Sequence, residues 1–478
     1  MHRITVFTLI LATSALLCAQ APSPQNFPPN RATVSSLPPP GQATLQGSVP
    51  PAGTAGPPLQ LSLDEALRRG TEYNFGAISV QNSVRQARGQ RLIELGALLP
   101  YAAGSLLVSD QQSSLAALGF TGFPGLQIPT ILGPFHFFDA RAGVSQDVLD
   151  ITRLRNYRAS QENLRAAELS AEDVRDLVVL AVTGSYLQVI ASSARVDSTR
   201  AQVATAQATY QQASDRRAAG VAPRIDVTRS QVELQTVQQR LTSVQNDFAK
   251  QKIRLARVIG LPPGQDLVLT DALPYAPLTN LTLEEARARA WSVRPDLKSA
   301  EARVRAAEME RKAVAAERYP TAQVSVDYGV IGPSPDNSHG TFTLAGGVRV
   351  PIFQGTRVTG EIEKAEAVIQ QRRAEVQDLR GRIDAEVREA FLDLTSAATQ
   401  VTVAESNRGL AAETLEQARD RFAAGVADTV EVVQAQEAVA AAEQDYIAAL
   451  FLHNLAKASL ARAMGQAGQN VRQFLGKP

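Results

Sequence analysis

The sequence predicts a mainly α-helical chain with a membrane β-barrel portion, built from two tandem copies of one unit, and three observations carry that prediction. LSLDEALRRG at 61–70 returns as LTLEEARARA at 281–290, and RRAAGVA at 216–222 returns as RFAAGVA at 421–427. These spacings, 220 and 205 residues, far exceed a solenoid period, so each copy is half a protein. Two stretches of roughly 65 residues, about 151–217 and 356–421, have no proline and little glycine and read as helix. Between the early helices and each of these rods the pattern switches from the helical period to a period of two.

The first residues read as an export signal. Arg3 supplies the positive start, Ile4 to Leu17 is an apolar run too short to span a bilayer, and the small residues Ala19 and Ala21 follow. Cleavage after Ala19 would remove Cys18, the only cysteine, and leave a chain without disulfides. The alternative use of Cys18 is lipidation, against which stands the bulky Leu17 before it. Residues 20–60 hold eleven prolines between Pro22 and Pro58 and read as a tether that carries no chemistry.

Repeat 1 covers 61–280, repeat 2 covers 281–466, and 467–478 is a C-terminal tail. Each repeat opens with capping-box spacing, Ser62 with Glu65 and Thr282 with Glu285. Helix continues to about Leu98 and Glu317, and a hairpin follows at about 100–148 and 320–353. In the second hairpin Ala322, Val324, Val326 and Tyr328 alternate with Thr321, Gln323, Ser325 and Asp327. Phe342, Leu344, Val348, Val350 and Ile352 then oppose Thr341, Thr343 and Arg349. The first hairpin carries 16 additional residues in its loop region, rich in Phe120, Phe123, Phe135, Phe137 and Phe138, which read either as ordinary core or as an aromatic girdle. Strands of this length and alternation fit an outer-membrane barrel wall. Four of them cannot close a barrel, and an open edge in lipid costs several kcal/mol for each unpaired group, so several chains would have to share one.

Long helix hairpins follow at about 151–259 and 356–464. Val227, Leu234, Leu241, Phe248 and Leu255 recur every seven residues, as do Val432, Val439, Tyr446, His453 and Leu460, beside a small-residue row at Ala435, Ala442, Ala449, Ala456 and Ala463. That is a coiled-coil seam. Leu177 to Ala194 carries no charge over 18 residues, but the matching stretch of repeat 2 contains Arg388, Glu389 and Asp393, so neither is read as a membrane span.

The order of helix, hairpin and long helix pair, given twice, with VPIFQGTRV at 350–358 and the AAGVA strings at 218–222 and 423–427, resembles the TolC-like outer-membrane efflux protein family from Leu61 to about Gly465. The resemblance implies a homotrimer whose four β-strands per chain make a 12-stranded β-barrel among outer membrane lipids and whose helices make a 12-helix α-barrel in the periplasm. It implies a periplasmic adaptor and an inner-membrane pump as partners, with the chain as a passive exit duct for small toxic compounds. It further implies adaptor docking at the tips Gly220, Val221, Gly425 and Val426, and a pore gate of acids for which Asp226, Asp428 and Glu431 are the candidates. Asp428 and Glu431 also have capping-box spacing, and Gln434, Phe422 and Ala427 depart from the family's closing contacts. The alternatives are a periplasmic coiled-coil adaptor or scaffold, or the exit duct of a type I protein secretion or metal-ion efflux system.

Several classes are argued against by what the residues lack. The formal net charge of +1 gives no basic face for nucleic acid. His2, His136, His339 and His453 are scattered without metal-ligand spacing, no phosphate-binding loop follows a strand, and no catalytic set, cofactor or metal site is expected.

Overall fold

The computed structural model describes residues 45–51, 53–54, 56–115, 117, 129–271, 275–277, 281–468 and 474–475. The export signal, Cys18, most of the tether, Phe120 and Phe123 lie outside them. Repeat 1 contains β1 (Leu59–Leu61), α1 (Leu63–Tyr73), α2 (Phe75–Gly96), β2 (Tyr101–Ser114), β3 (Ile131–Leu149), α3 (Ile151–Ala218), α4 (Arg224–Val258) and β4 (Leu267–Leu269). Repeat 2 contains α5 (Leu283–Val293), α6 (Pro295–Ala316), β5 (Thr321–Gly332), β6 (His339–Arg349), α7 (Arg357–Ala423) and α8 (Thr429–Ala463).

Helix starts follow local chemistry, with two corrections. Thr282 and Glu285 form the full reciprocal box at the start of α5. At α1 only half of it forms: Ser62 accepts from the Glu65 N–H, while the Glu65 carboxylate turns to Arg68 at 2.6 Å. Glu431 likewise leaves its box for an arginine, described below. The rods α3 and α7 have 68 and 67 residues, which at 1.5 Å per residue makes each about 100 Å long.

β2, β3, β5 and β6 form one antiparallel sheet in that order. Its register puts Leu106 opposite Ala140, Val108 opposite Phe138, Val144 opposite Val326, and Tyr328 opposite Phe342, so one apolar face runs unbroken across all four strands. The other face carries Ser105, Asp139, Arg141, Asp327 and Thr343. There Arg141 bridges Asp139 at 2.8 Å and Asp327 at 2.7 Å. Phe138 belongs to the apolar face, whereas Phe135 and Phe137 have the parity of Asp139, so these phenylalanines do not make one girdle. Among the described residues no core covers the apolar face, where Phe342, Leu344 and Val348 are each more than two-thirds exposed.

The main core sits where β1 pairs in parallel with β4 beside the middle of α3. Leu61, Val178, Val182, Tyr186, Val189 and Leu255 are all but inaccessible there. Each such side chain contributes about 1.5–3 kcal/mol. The charge-free stretch of α3, long and apolar enough by composition to cross a bilayer, is more than half buried inside the chain by these elements. Tyr186 Oη donates to Asp271 and lies 3.1 Å from the Leu61 carbonyl, anchoring α3 to the strand pair. In repeat 2 the matching core joins α5, α6, α7 and α8 through Ala290, Leu297, Ile383, Val387 and Leu460.

The small-residue row of α8, Ala435 to Ala463 at every seventh position, is buried throughout. His453 is packed as well, with Nε2 3.4 Å from the Ala276 carbonyl and its ring tilted on Tyr275. One turn on, Lys457 is fully buried and its Nζ has no hydrogen-bond partner among the described residues. Desolvation pushes its pKa down to about 8. In the unfolded chain the amine stays charged up to about pH 10.4. The fold therefore carries the full penalty below pH 8 and regains stability as pH rises from 8 towards 10. Lys457→Met is expected to raise the melting temperature at pH 7 by several degrees, with the gain shrinking above pH 8. Thermal melts across that range check it, and a lower melting temperature at pH 7 would show that the amine is stabilised by a contact.

Candidate functional site at the helix-hairpin tips

Both long hairpins reverse by the same backbone device. At the end of α3 the Gly220 N–H bonds to the Arg217 carbonyl and the Val221 N–H to the Arg216 carbonyl. At the end of α7 the Gly425 N–H bonds to Phe422 and the Val426 N–H to Arg421. Each is a Schellman cap, whose turning residue needs a left-handed backbone. Gly220 and Gly425 both have φ of +78°, where a Cβ would be strained. The following valine projects outward in each copy, with Val221 68% and Val426 69% exposed, and Ile225 adds a third exposed apolar side chain. Each tip thus presents an apolar residue on a rigid turn.

The returning helices start differently. Asp428 caps α8 by accepting from the Val430 and Glu431 N–H groups. Pro223 stands at the same place before α4 and offers no side-chain cap. Of the acidic gate candidates, Glu431 is ion-paired to Arg421 at 3.0 Å across its own hairpin, Asp428 is engaged in the cap, and Asp226 is half-buried with no ion pair among the described residues. The structure therefore separates the matching pair Asp226 and Glu431 chemically: one carboxylate is compensated, the other is not.

Sequence reasoning missed the residue that ties the two tips together. Arg216 Nη1 donates to the Phe422 carbonyl at 2.7 Å, and its guanidinium lies 4.7 Å from the centre of the Phe422 ring. One arginine thereby reaches from the end of α3 to both the backbone and the side chain of α7. Its counterpart by internal repeat is Arg421, which instead holds Glu431. The only trace in the sequence is RR in one copy against RF in the other.

Comparison with known proteins matches the same two halves. A model of the family described as outer membrane efflux protein matches residues 80–261 and 286–466. The chain is 24% identical over 432 residues to the pyoverdine export outer membrane protein OpmQ of Pseudomonas aeruginosa, covering 87% of each chain. It is 25% identical over 411 residues to the toluene efflux pump outer membrane protein TtgF of Pseudomonas putida, covering 81% of this chain and 80% of that one. Its fold is similar to that of the CmeC outer membrane channel of Campylobacter jejuni, with a TM-score of 0.73 at 13% identity, covering 90% of this chain and 95% of that chain.

Proposed function

We propose that this chain, which belongs to the outer membrane efflux protein family and is an outer-membrane efflux channel with a periplasmic helical tunnel, works as a homotrimer that receives small toxic compounds from an inner-membrane pump through an adaptor docked at its tips. The observation that carries this reading is the sheet. It is apolar on one face, polar on the other, and its outer strands β2 and β6 each have one unpaired edge. In lipid those edges need partners, and three copies pairing β6 to the next chain's β2 give a closed 12-stranded wall. The apolar face would then meet lipid and the Arg141–Asp139–Asp327 cluster the lumen. Four long helices per chain would continue as a 12-helix α-barrel.

Cysteine crosslinking tests the assembly, because Cys18 is the only native cysteine. With Cys18 replaced by serine and Thr343→Cys in β6, single cysteines scanned along β2 are expected to give disulfide-linked dimers and trimers in outer-membrane fractions. Monomer at every position would remove the shared barrel.

Docking at the tips is supported by the repeated Schellman caps with their exposed valines, since a turn alone requires only the glycine. The gate is the acids Asp226 and Glu431. Because Glu431 is already compensated by Arg421, reversal of Asp226 should dominate. Asp226→Lys in the reconstituted channel is expected to lower cation selectivity and change conductance more than Glu431→Lys does, with planar-bilayer recordings as the check. Equal and unaltered currents in both variants would take the gate away from these residues.

A further inference from the structure

A cavity of about 520 Å³ lies among the four long helices, away from the tips. It is lined from α3 between Ala194 and Ala206, from α4 between Glu233 and Arg240, from α7 at Arg408 and Leu415, and from α8 between Gln436 and Leu450. That volume suits a small organic molecule. Val237, Val439, Ile447 and Leu450 make much of its wall apolar.

The polar groups in this wall are mostly acceptors. Gln436 is 8% exposed, and its amide orientation is fixed by its neighbour. Thr209 gives its own proton to the Thr205 carbonyl, so it can only accept, and Gln436 Nε2 donates to it at 2.8 Å. Gln436 Oε1 is consequently left as a buried acceptor with no partner among the described residues. Gln202 Nε2 donates to Ser198 Oγ, and its Oε1 is buried without a partner among the described residues. Two unmet acceptors behind the wall bias the cavity electrostatically towards a cation and against an anion.

Charge points the same way. Glu233 on α4 and Glu437 on α8 line the cavity, and neither has an ion-pair partner among the described residues. Burial raises the Glu233 pKa, and the nearby Glu437 charge raises it further against the opposing pull of Arg240. Arg408 is engaged with the Tyr446 ring at 4.2 Å and with Glu443 at 3.9 Å. Of the four carboxylates in the lining, Asp197 is paired with Arg200 and Glu443 with Arg408, which leaves Glu233 and Glu437 facing Arg240 alone. A metal ion does not fit, because no three His, Cys, Asp or Glu side chains among the described residues converge closely enough to hold one.

We propose that this cavity is a binding site for a primary ammonium ion carrying a compact apolar body, with its N–H groups met by the Glu233 and Glu437 carboxylates. The apolar body rests on Val237, Val439 and Ile447. Nothing in this site depends on tip docking, so either reading can fail without the other.

The test uses the purified full chain in a non-ionic detergent and equilibrium dialysis against phenethylammonium, with 2-phenylethanol and 3-phenylpropionate as neutral and anionic counterparts. Saturable binding of one phenethylammonium per chain is expected, at least tenfold tighter than the alcohol, with the carboxylate excluded. The isosteric pair Glu233→Gln with Glu437→Gln should weaken binding at least tenfold. Ala201→Phe lines the cavity from an exposed helix position, so it fills the space without displacing core and should abolish binding at an unchanged melting temperature. Equal affinity for the alcohol, binding that survives both variants, or no saturable uptake would each overturn the proposal.

Discussion

Gly425→Trp is expected to abolish export while the protein still assembles in the outer membrane. The residue sits at φ of +78° on the α7 turn, and a Cβ there would meet only Arg216 Nη2 at an ordinary 3.6 Å. Strain from the left-handed backbone costs about 1–2 kcal/mol, confined to a turn that carries no core. The indole, in contrast, would project from the tip beside Val426 and obstruct any partner seated there. Gly425→Ala separates the two effects, since it carries the strain without the bulk and should export nearly as the parent does. Drug-accumulation assays in cells, alongside quantification of the membrane-inserted protein, give the readout. Normal export by the tryptophan variant would mean that the tip is not covered by a partner.

The largest effect on stability is expected at Arg294. Its guanidinium is 1% exposed and bridges Asp296 at 2.6 Å and Glu386 at 2.5 Å, joining the start of α6 to α7, with the Ala463 carbonyl at the end of α8 also within 3.3 Å. Removing one partner of such a network leaves uncompensated charge, which costs 3–5 kcal/mol. Because Glu386 is 40% exposed and can rehydrate, Arg294→Met should fall near the lower end, about 3 kcal/mol. Burial alone would raise the Asp296 carboxyl, but its bonds and attraction to Arg294 hold it below the usual range. The stability this lends is complete above the unfolded value of about 3.9 and is lost as pH falls through the lower folded value. Denaturant melts of the variant should therefore show a lower midpoint at pH 7 and a flatter acid limb. An unchanged midpoint would mean the network contributes nothing net.

What could be read from the sequence was set by periodicity. Alternation of Thr321 to Tyr328 placed β5, and proline-free composition placed α3 and α7, because these patterns are imposed locally by backbone geometry. The left-handed turns were legible because glycine recurs at the end of each AAGVA approach. Side chains whose role depends on how four helices settle were not. Arg294 and Lys457 drew no attention, since nothing nearby in sequence shows that they are buried. Arg216 was hidden by the duplication itself, which pairs it with Arg421 and invites one role for both. Half of the Ser62 box was lost to Arg68, a competitor at i+3 that the motif does not weigh. The Gln436 acceptor depends on Thr209, 227 positions away.

The sheet has a consequence for the order of events in the cell. The helical portion has its own buried core around Tyr186 and Leu255, but among the described residues no core covers the apolar face of the four strands and both outer edges are open. In the proposed trimer the strands would gain most of their stability only when neighbouring chains and lipid arrive together, which would make membrane insertion and oligomerisation one step. Until then the chain would have folded rods and an unfinished wall. Hydrogen exchange on the exported but uninserted chain should find the α3 amides protected and the β6 amides open.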